Sequence, residues 1–292
     1  MRTLWTRRPS PLNGRTVVLT GAAGGIGGQT ARLLVERGAQ VALLDRQEEA
    51  VRALADELGP HAAPFAVDVT DSAALEAVMA QTAERFGGID VVVANAGISG
   101  PMATIATIEP AEFERVVEVN FLGVWRTVRA ALPYVTERRG HILMTSSIAA
   151  AMPTPTVGVY GASKAAVEMF GRALRIELAH TGTTVGIAYF GAVDTGLVRG
   201  LISARSALGE GLQKMPKVIG APISPRRAGA AMVSGIERRA RTVYAPWWVP
   251  ALLAGRAQFA MLEPLAARFP PLARLIHDSG LPFPERTSAG RP

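Results

Sequence analysis

"TVVLTGAAGGIG", residues 16–27, joins a β-branched apolar run to a glycine-rich turn. A short run of this kind reads as a buried strand. The stretch after the turn is helical in pattern as far as Arg37 and is closed by Gly38. Gly21, Gly25 and Gly27 permit positive φ and let a ligand approach the backbone closely. The helix N-terminus then presents N–H groups and a positive dipole end, which suit a pyrophosphate. A tight strand-to-helix turn needs glycine on steric grounds alone, so the loop by itself is not sufficient. The next strand supplies the context. "VALLD", 41–45, ends in Asp45, where a carboxylate accepts hydrogen bonds from adenosine ribose hydroxyls. Its ordinary structural explanation is a capping residue. Strand, glycine turn, helix and terminal acid together point to dinucleotide binding.

The same alternation continues outward. A helix through "EEAVRALADEL" leads to a third strand, "APFAVDV", and Asp71 or Ser72 caps the helix that runs to Phe86. Asp68, closing that strand, could meet an adenine edge or serve as an ordinary cap. "IDVVVANAG" is a fourth strand entering a loop. Pro110 opens a long helix to about Leu132. "HILMTSS" is a fifth strand, a helix carries Tyr160 to His180, and "TVGIAYF" is a sixth strand. Ser224-Pro225 starts another helix before a seventh strand, "TVYA". Strands alternating with helices give right-handed crossovers and a parallel sheet covered on both faces. The expected fold is α/β, a doubly wound parallel sheet, Rossmann-like. Residues 1–14 form a tail, 15–245 one domain, and 246–292 a proline-rich apolar C-terminal extension.

Composition narrows the chemistry. The 292 residues include no cysteine, which excludes disulfides, thiolate metal sites and a cysteine nucleophile. The histidines at 61, 141, 180 and 277 have no ligand spacing, so no metal is expected. The net charge of +7 comes without a lysine/arginine block, so no nucleic-acid partner is expected. The N-terminus lacks the apolar region of a secretory signal, and no apolar run is long enough to span a membrane. A cytoplasmic location fits these absences.

"YGASK", 160–164, sets Tyr160 and Lys164 at i and i+4 on one helix face. A tyrosine packed on a lysine stem is the everyday explanation. The chemical one rests on charge. A unit charge at about 4 Å, with an effective dielectric of about 20, is worth about 4 kcal/mol. That is enough to bring a phenol from about 10 towards neutrality, where it can give or take a proton. Other residues favour the chemical explanation. "MTSSIAA" ends the fifth strand and brings Ser147 to the carboxyl edge of the sheet, where ligands bind. "ANAG", 94–97, ends the fourth strand at the same edge. Asn120 lies inside a helix in "VEVNFLG", where a residue of poor helix propensity is out of place.

With these pieces in this order and spacing, the chain resembles the short-chain dehydrogenase/reductase family over about residues 12–245. The resemblance implies hydride transfer to or from a nicotinamide cofactor. It makes Tyr160 the general acid/base. Lys164 would lower its pKa and hold the nicotinamide ribose, Ser147 would bond the substrate oxygen, and Asn120 would position a relay water. The implied cofactor set is Gly21, Gly25, Ile26, Gly27, Asp45, Asp68, Val69, Asn95, Gly97, Tyr160, Lys164, Gly191, Val193 and Thr195. A homo-oligomer, dimer or tetramer, is expected. One departure stands out in "AYFGAVDT": Phe190 replaces the family's usual proline, while Gly191 and Thr195 remain.

The expected activity is an NAD-dependent alcohol dehydrogenase or ketone reductase. NADP is disfavoured because its 2′-phosphate would face Asp45, although the guanidinium of Arg46 could grip that phosphate. Two alternatives remain. One is an NADPH-dependent reductase of acyl thioesters or other carbonyls, and the other is a dinucleotide-binding protein without chemistry. Ile98, Met102, Ile148, Met152, Val157 and Phe190 are the candidate substrate pocket, and they suggest a small apolar alcohol or ketone. The segment 197–218 has the apolar spacing of a helical lid. In the extension, Phe259, Leu262, Leu265, Phe269, Leu272 and Ile276 share one apolar face broken by prolines. It is expected to pack on its own domain or a partner near the substrate entrance, with peripheral membrane contact as the rival.

Overall fold

The computed structural model describes residues 10–203 and 221–258, together with 261, 264 and 268. Seven parallel strands form one sheet in the order β3-β2-β1-β4-β5-β6-β7. They are β1 Thr16–Thr20, β2 Gln40–Asp45, β3 Ala62–Ala66, β4 Val91–Ala94, β5 His141–Ser147, β6 Thr184–Phe190 and β7 Thr242–Ala245. Each of β1, β4 and β5 is buried along its whole length. That burial explains why β1 and β4, and β5 over Ile142–Thr145, read as unbroken apolar or β-branched runs. The helices α1 (Gly25–Glu36), α2 (Glu48–Leu58) and α3 (Ser72–Phe86) follow the first three strands. After β4 come α4 (Pro110–Val117) and α5 (Gly123–Glu137). Then follow α6 (Gly158–Glu177), α7 (Gly196–Ser203), α8 (Pro225–Glu237) and α9 (Val249–Ala254).

The sheet divides the core in two. Val17, Leu19, Leu34, Leu43 and Met232 pack together on the side of α1 and α8. Val18, Met79, Val128, Ile142 and Met144 pack on the side of α3, α5 and α6. Alternate residues of one strand therefore feed opposite cores. Asp71 caps α3 by accepting from Ala74 N at 3.0 Å, and Ser224 caps α8 by accepting from Arg227 N at 3.3 Å.

Two elements differ from their sequence reading. The third strand stops at Ala66, because Asp68 turns the chain by accepting from Thr70 N and its hydroxyl. The long helix expected from Pro110 to about Leu132 is interrupted by a π turn at Glu118–Leu122, then continues across Pro133 to Glu137. A π turn holds one extra residue, and propensity along the chain does not announce it.

The glycine turn is held by backbone contact on both sides. Gly21 has φ +66°, and a Cβ there would lie 2.9 Å from Ala96 Cα. A Cβ at Gly27 would sit 2.1 Å from the Gly21 carbonyl oxygen. Gly27→Ala is expected to cost about 1–3 kcal/mol of stability and to weaken dinucleotide binding at least tenfold. Calorimetry and a fluorescence titration with NADH check both effects. Wild-type values in each would show that the turn tolerates a side chain.

Candidate active site

The carboxyl ends of β1, β2, β4, β5 and β6 open into one cleft of about 480 Å³. At its β1 end α1 begins with Gly24 as N-cap, so no side chain covers the first N–H groups. Thr195 closes over this turn, and a Cβ on Gly25 would meet its methyl at 2.8 Å. The space is a backbone cradle that any side chain would fill, and it fits a pyrophosphate. Asp45 is 9% exposed at the end of β2. Its two oxygens accept from Ala23 N and Gln47 N, each at 3.0 Å, so the carboxylate also pins the glycine loop. Asp68, Val69, Ile26, Gly191 and Val193 line the same cleft. Arg46 stands exposed at its rim.

Asn95 sits where β1 and β4 separate. Its Nδ2 donates to the Thr20 carbonyl at 3.2 Å, and its Oδ1 accepts from Thr145 Oγ1 at 3.2 Å. Thr20 Oγ1 accepts from Asn95 N and Ala96 N, at 3.0 and 3.1 Å. These bonds tie β1, β4 and β5 together at the floor of the cleft. Thr20 and Thr145 were not singled out from the sequence. Their only signal is position, a hydroxyl at the end of a buried strand.

Ser147, Tyr160 and Lys164 line the other end of the cleft. Ser147 ends β5 and is 8% exposed, and its Oγ accepts from Ala149 N at 3.2 Å. Tyr160 and Lys164 come from the first turns of α6. Lys164 is 3% exposed, and its Nζ donates to the Thr145 carbonyl at 3.0 Å. Asn120 lies in the π turn and is fully buried. Its Oδ1 accepts from Ile98 N, while its Nδ2 donates to the Ile98 carbonyl and to Ser163 Oγ. Ser163 Oγ in turn donates to the Tyr160 carbonyl at 2.7 Å. The amide thus links the loop after β4 to α6. Gly97 passes directly above: a Cβ there would lie 3.2 Å from both Asn120 Oδ1 and Lys164 Nζ. Ser163 was missed in the sequence, although it is the small polar residue inside "YGASK".

The Tyr160 phenol lies above its ordinary value, not below it as the i, i+4 charge pairing led one to expect. Burial pushes the phenol up, and its hydrogen bond with Ser147 only partly offsets this. Lys164 Nζ is 5.8 Å from the ring centre and is directed to a backbone carbonyl instead of the phenolic oxygen. Both groups are desolvated, and desolvation disfavours a phenolate as well as an ammonium.

The proposed pocket residues separate into groups. Ile98, Phe190 and Val193 line the cleft, and so do Leu197 and Val198 of α7. Phe190, 4% exposed, belongs mainly to the core on the α1 side. Met152 lines a neighbouring hollow with Ile105 and the loop 149–156. Val157 is buried, and Ile148 packs on Ile187, Tyr189 and Val249. Met102 is half-buried on the loop after β4. Residues 204–218 of the expected lid, and Phe259, Leu262, Leu265, Phe269, Leu272 and Ile276 of the expected apolar face in the extension, lie outside the described residues.

The state of Lys164 can be tested directly. Burial lowers its ammonium from 10.5 to about 8. Between those values the unfolded chain binds the proton more readily than the folded protein does. The destabilisation, on the order of 3 kcal/mol, is complete below about pH 8 and fades as pH rises towards 10.5. Lys164→Met is expected to raise the Tm at pH 7, with a gain that shrinks above pH 8, while abolishing turnover. Calorimetry across pH 7–10 is the measurement, and a lower Tm at pH 7 would show the lysine to be net stabilising.

The short chain dehydrogenase family model matches residues 15–206. The chain is 40% identical over 191 residues to cis-4-hydroxycyclohexanecarboxylate dehydrogenase of Sinomonas cyclohexanicum, covering 64% of this chain and 76% of that one. It is 34% identical over 224 residues to L-fucose dehydrogenase of Oryctolagus cuniculus, covering 75% and 78%. Among solved structures, 3-ketoacyl-(acyl-carrier-protein) reductase from Brucella melitensis, complexed with NADH, is similar with a TM-score of 0.72 at 27% identity. The likeness covers 80% of this chain and 97% of that chain. With the doubly wound sheet and the cleft at its switch point, the chain belongs to the short-chain dehydrogenase/reductase family of oxidoreductases, which work with a nicotinamide dinucleotide.

Proposed function

We propose that the protein is an NAD(H)-dependent dehydrogenase or reductase of an apolar, cyclic secondary alcohol or its ketone, acting in the cytoplasm. One observation carries this reading: Ser147, Tyr160 and Lys164 converge at one end of the cleft whose other end is the glycine cradle and Asp45. The cyclic substrate is suggested by the relative that acts on cis-4-hydroxycyclohexanecarboxylate and by the apolar lining from Ile98, Phe190 and Val198.

The cradle at Gly21, Gly25 and Gly27 would hold the pyrophosphate, Asp45 the adenosine ribose, and Lys164 the nicotinamide ribose. Asn95, Gly97, Gly191, Val193 and Thr195 would shape the rest of the channel. When bound, the nicotinamide accepts or donates the hydride and, in its oxidised form, adds a positive charge. Ser147 Oγ bonds the substrate oxygen. Tyr160 Oη takes the proton from an alcohol in oxidation, or gives one to a carbonyl in reduction. Charge is what this burial-raised phenol requires before it can ionise. Lys164 contributes to it, fixed by the Thr145 carbonyl. Asn120 holds Ile98 and Ser163 so that loop and helix keep their spacing.

Arg46 at the cleft rim favours a second reading, an NADPH-dependent carbonyl reductase. Asp45 opposes it, since each charge of a 2′-phosphate at about 4 Å costs about 4 kcal/mol. We also read the protein as a homo-oligomer, from the exposed Met169 and Ile176 on α6 and the exposed Trp125 on α5.

Absorbance of the reduced cofactor over a panel of cyclohexanols, alkan-2-ols, sugars and 3-ketoacyl thioesters tests the reading. Cyclic alcohols are expected to turn over fastest, and a preference for thioesters would favour the second reading. Tyr160→Phe is expected to lower kcat at least a thousandfold with NADH affinity changed less than fivefold, roughly the loss of a general acid and its charge network. Near-normal turnover would remove the proton-transfer role. For the cofactor, kcat/KM with NAD⁺ is expected to exceed that with NADP⁺ at least tenfold, and Asp45→Ser to narrow the gap. The reverse preference would overturn the NAD assignment.

A further inference from the structure

Tyr160, Lys164 and Glu168 follow one another at i, i+4 and i+8 on α6, so they form one stripe of the helix. Glu168 has no part in the chemistry described above, yet it is 5% exposed. A buried carboxylate needs a partner, and this one finds it outside the sheet. Arg256, just past α9 in the C-terminal extension, donates from Nη1 to Glu168 Oε1 at 2.9 Å. Arg256 is itself steadied through its Nε, which donates to the Leu253 carbonyl at 3.2 Å. Arg172, on α6 itself, reaches the same oxygen only at 3.6 Å and is 54% exposed. The second oxygen, Oε2, is buried without a partner.

The surroundings make the carboxylate's charge felt. Tyr189 of β6 and Tyr244 of β7 stack nearby with ring centres 5.9 Å apart. Burial first, and then the Glu168 charge, push the Tyr189 hydroxyl up, while Arg256 pulls it down. The extension also meets the site at two other points. Val249 and Leu253 pack in the cluster that holds Ile148, the residue after Ser147. A Cβ on Gly191 would meet Pro246 at 3.0 Å and Trp248 at 3.5 Å.

We propose that Arg256 is a positioning residue that neutralises Glu168 and so keeps this carboxylate from competing for the Lys164 ammonium one helical turn away. The proposal rests on the catalytic reading of Tyr160 and Lys164. Without Arg256, Glu168 keeps only the distant, exposed Arg172. The nearest buried cation on its own stripe is then Lys164, and a shift of that ammonium towards Glu168 draws it away from Thr145 and Tyr160. The extension thereby becomes part of the catalytic machinery at one remove, through charge as well as through packing.

The test compares Arg256→Gln, Arg256→Lys and the double variant Glu168→Gln/Arg256→Gln in the full chain. Kinetics use NAD⁺ and the best alcohol of the panel, and Tm is read at pH 5 and 8. Arg256→Gln is expected to lower kcat at least tenfold and to lower Tm more at pH 8 than at pH 5, because acid discharges an unpaired buried carboxylate. The double variant is expected to return kcat to within about threefold of wild type and to lose the pH dependence. Arg256→Lys is expected to retain most of the activity. Loss of packing alone would not be relieved by removing the carboxylate. Wild-type kcat in Arg256→Gln, or a double variant no better than the single one, would overturn the proposal. If the wild type oxidises no alcohol with NAD⁺, the functional reading fails instead. The Tm comparison then decides the clasp alone, and equal Tm values for wild type and Arg256→Gln at pH 8 would end it.

Discussion

The crevice exists because β1 and β4 are neighbours in the sheet while their outgoing connections turn to opposite faces. The chain leaving β1 enters α1 on one side, and the chain leaving β4 reaches α4 and α5 on the other. A doubly wound sheet binds its ligand at such a gap. An opening at a strand end exposes backbone polar groups that the ladder no longer pairs. Thr20 and Asn95 satisfy these groups with side chains, and Thr145 bonds the Asn95 amide, so the three strand ends keep their spacing across the gap. Everything placed around the cleft is measured from that floor.

Above it, the site concentrates buried polar groups that a protein built for stability alone would avoid. A lysine ammonium with one backbone carbonyl for company is costly, and the folded chain answers by lowering its affinity for the proton. The phenol beside it is likewise held against ionisation. The two costs have a common cause, a dry pocket wall, and a dry wall makes a charge arriving with a ligand act strongly. Glu168 extends the pattern one turn further along the same helix, with its counter-ion brought in from a separate stretch of chain.

Much of this was legible in the residues. Strands buried on both faces show as "TVVLT" and "HILMTSS", and a cradle for an anion shows as glycines between strand and helix. Ser147, Tyr160 and Lys164 carry their own signature, because the chemistry proposed for them, and not the fold, explains their types and spacing. What stayed hidden depends on contacts between distant segments. Asn120 was visible as an oddity, but the π turn that aims it has no local signal. Ile148 and Val157 looked like pocket residues because they follow Ser147, yet Ile148 packs against β6 and Val157 is buried as the N-cap of α6. The upward direction of the Tyr160 shift is not legible in the sequence, because i, i+4 spacing reports proximity and says nothing of solvent. Arg256 and Glu168 lie far apart in the chain, and neither residue advertises the other.

The wider turn at Glu118–Leu122 has a further consequence for how this site can vary. A π turn carries one residue more than the α-helical turns on either side of it. Losing a single codon within these five positions would regularise α4 and α5 into one continuous rod, with gain rather than loss of ordinary helical bonding. It would also remove the wide turn that presents Asn120, carrying the amide away from Ile98 and Ser163. Length, at this point in the gene, therefore constrains the enzyme as tightly as residue identity does, even though the segment lies in a helix that would read, by composition, as freely adjustable.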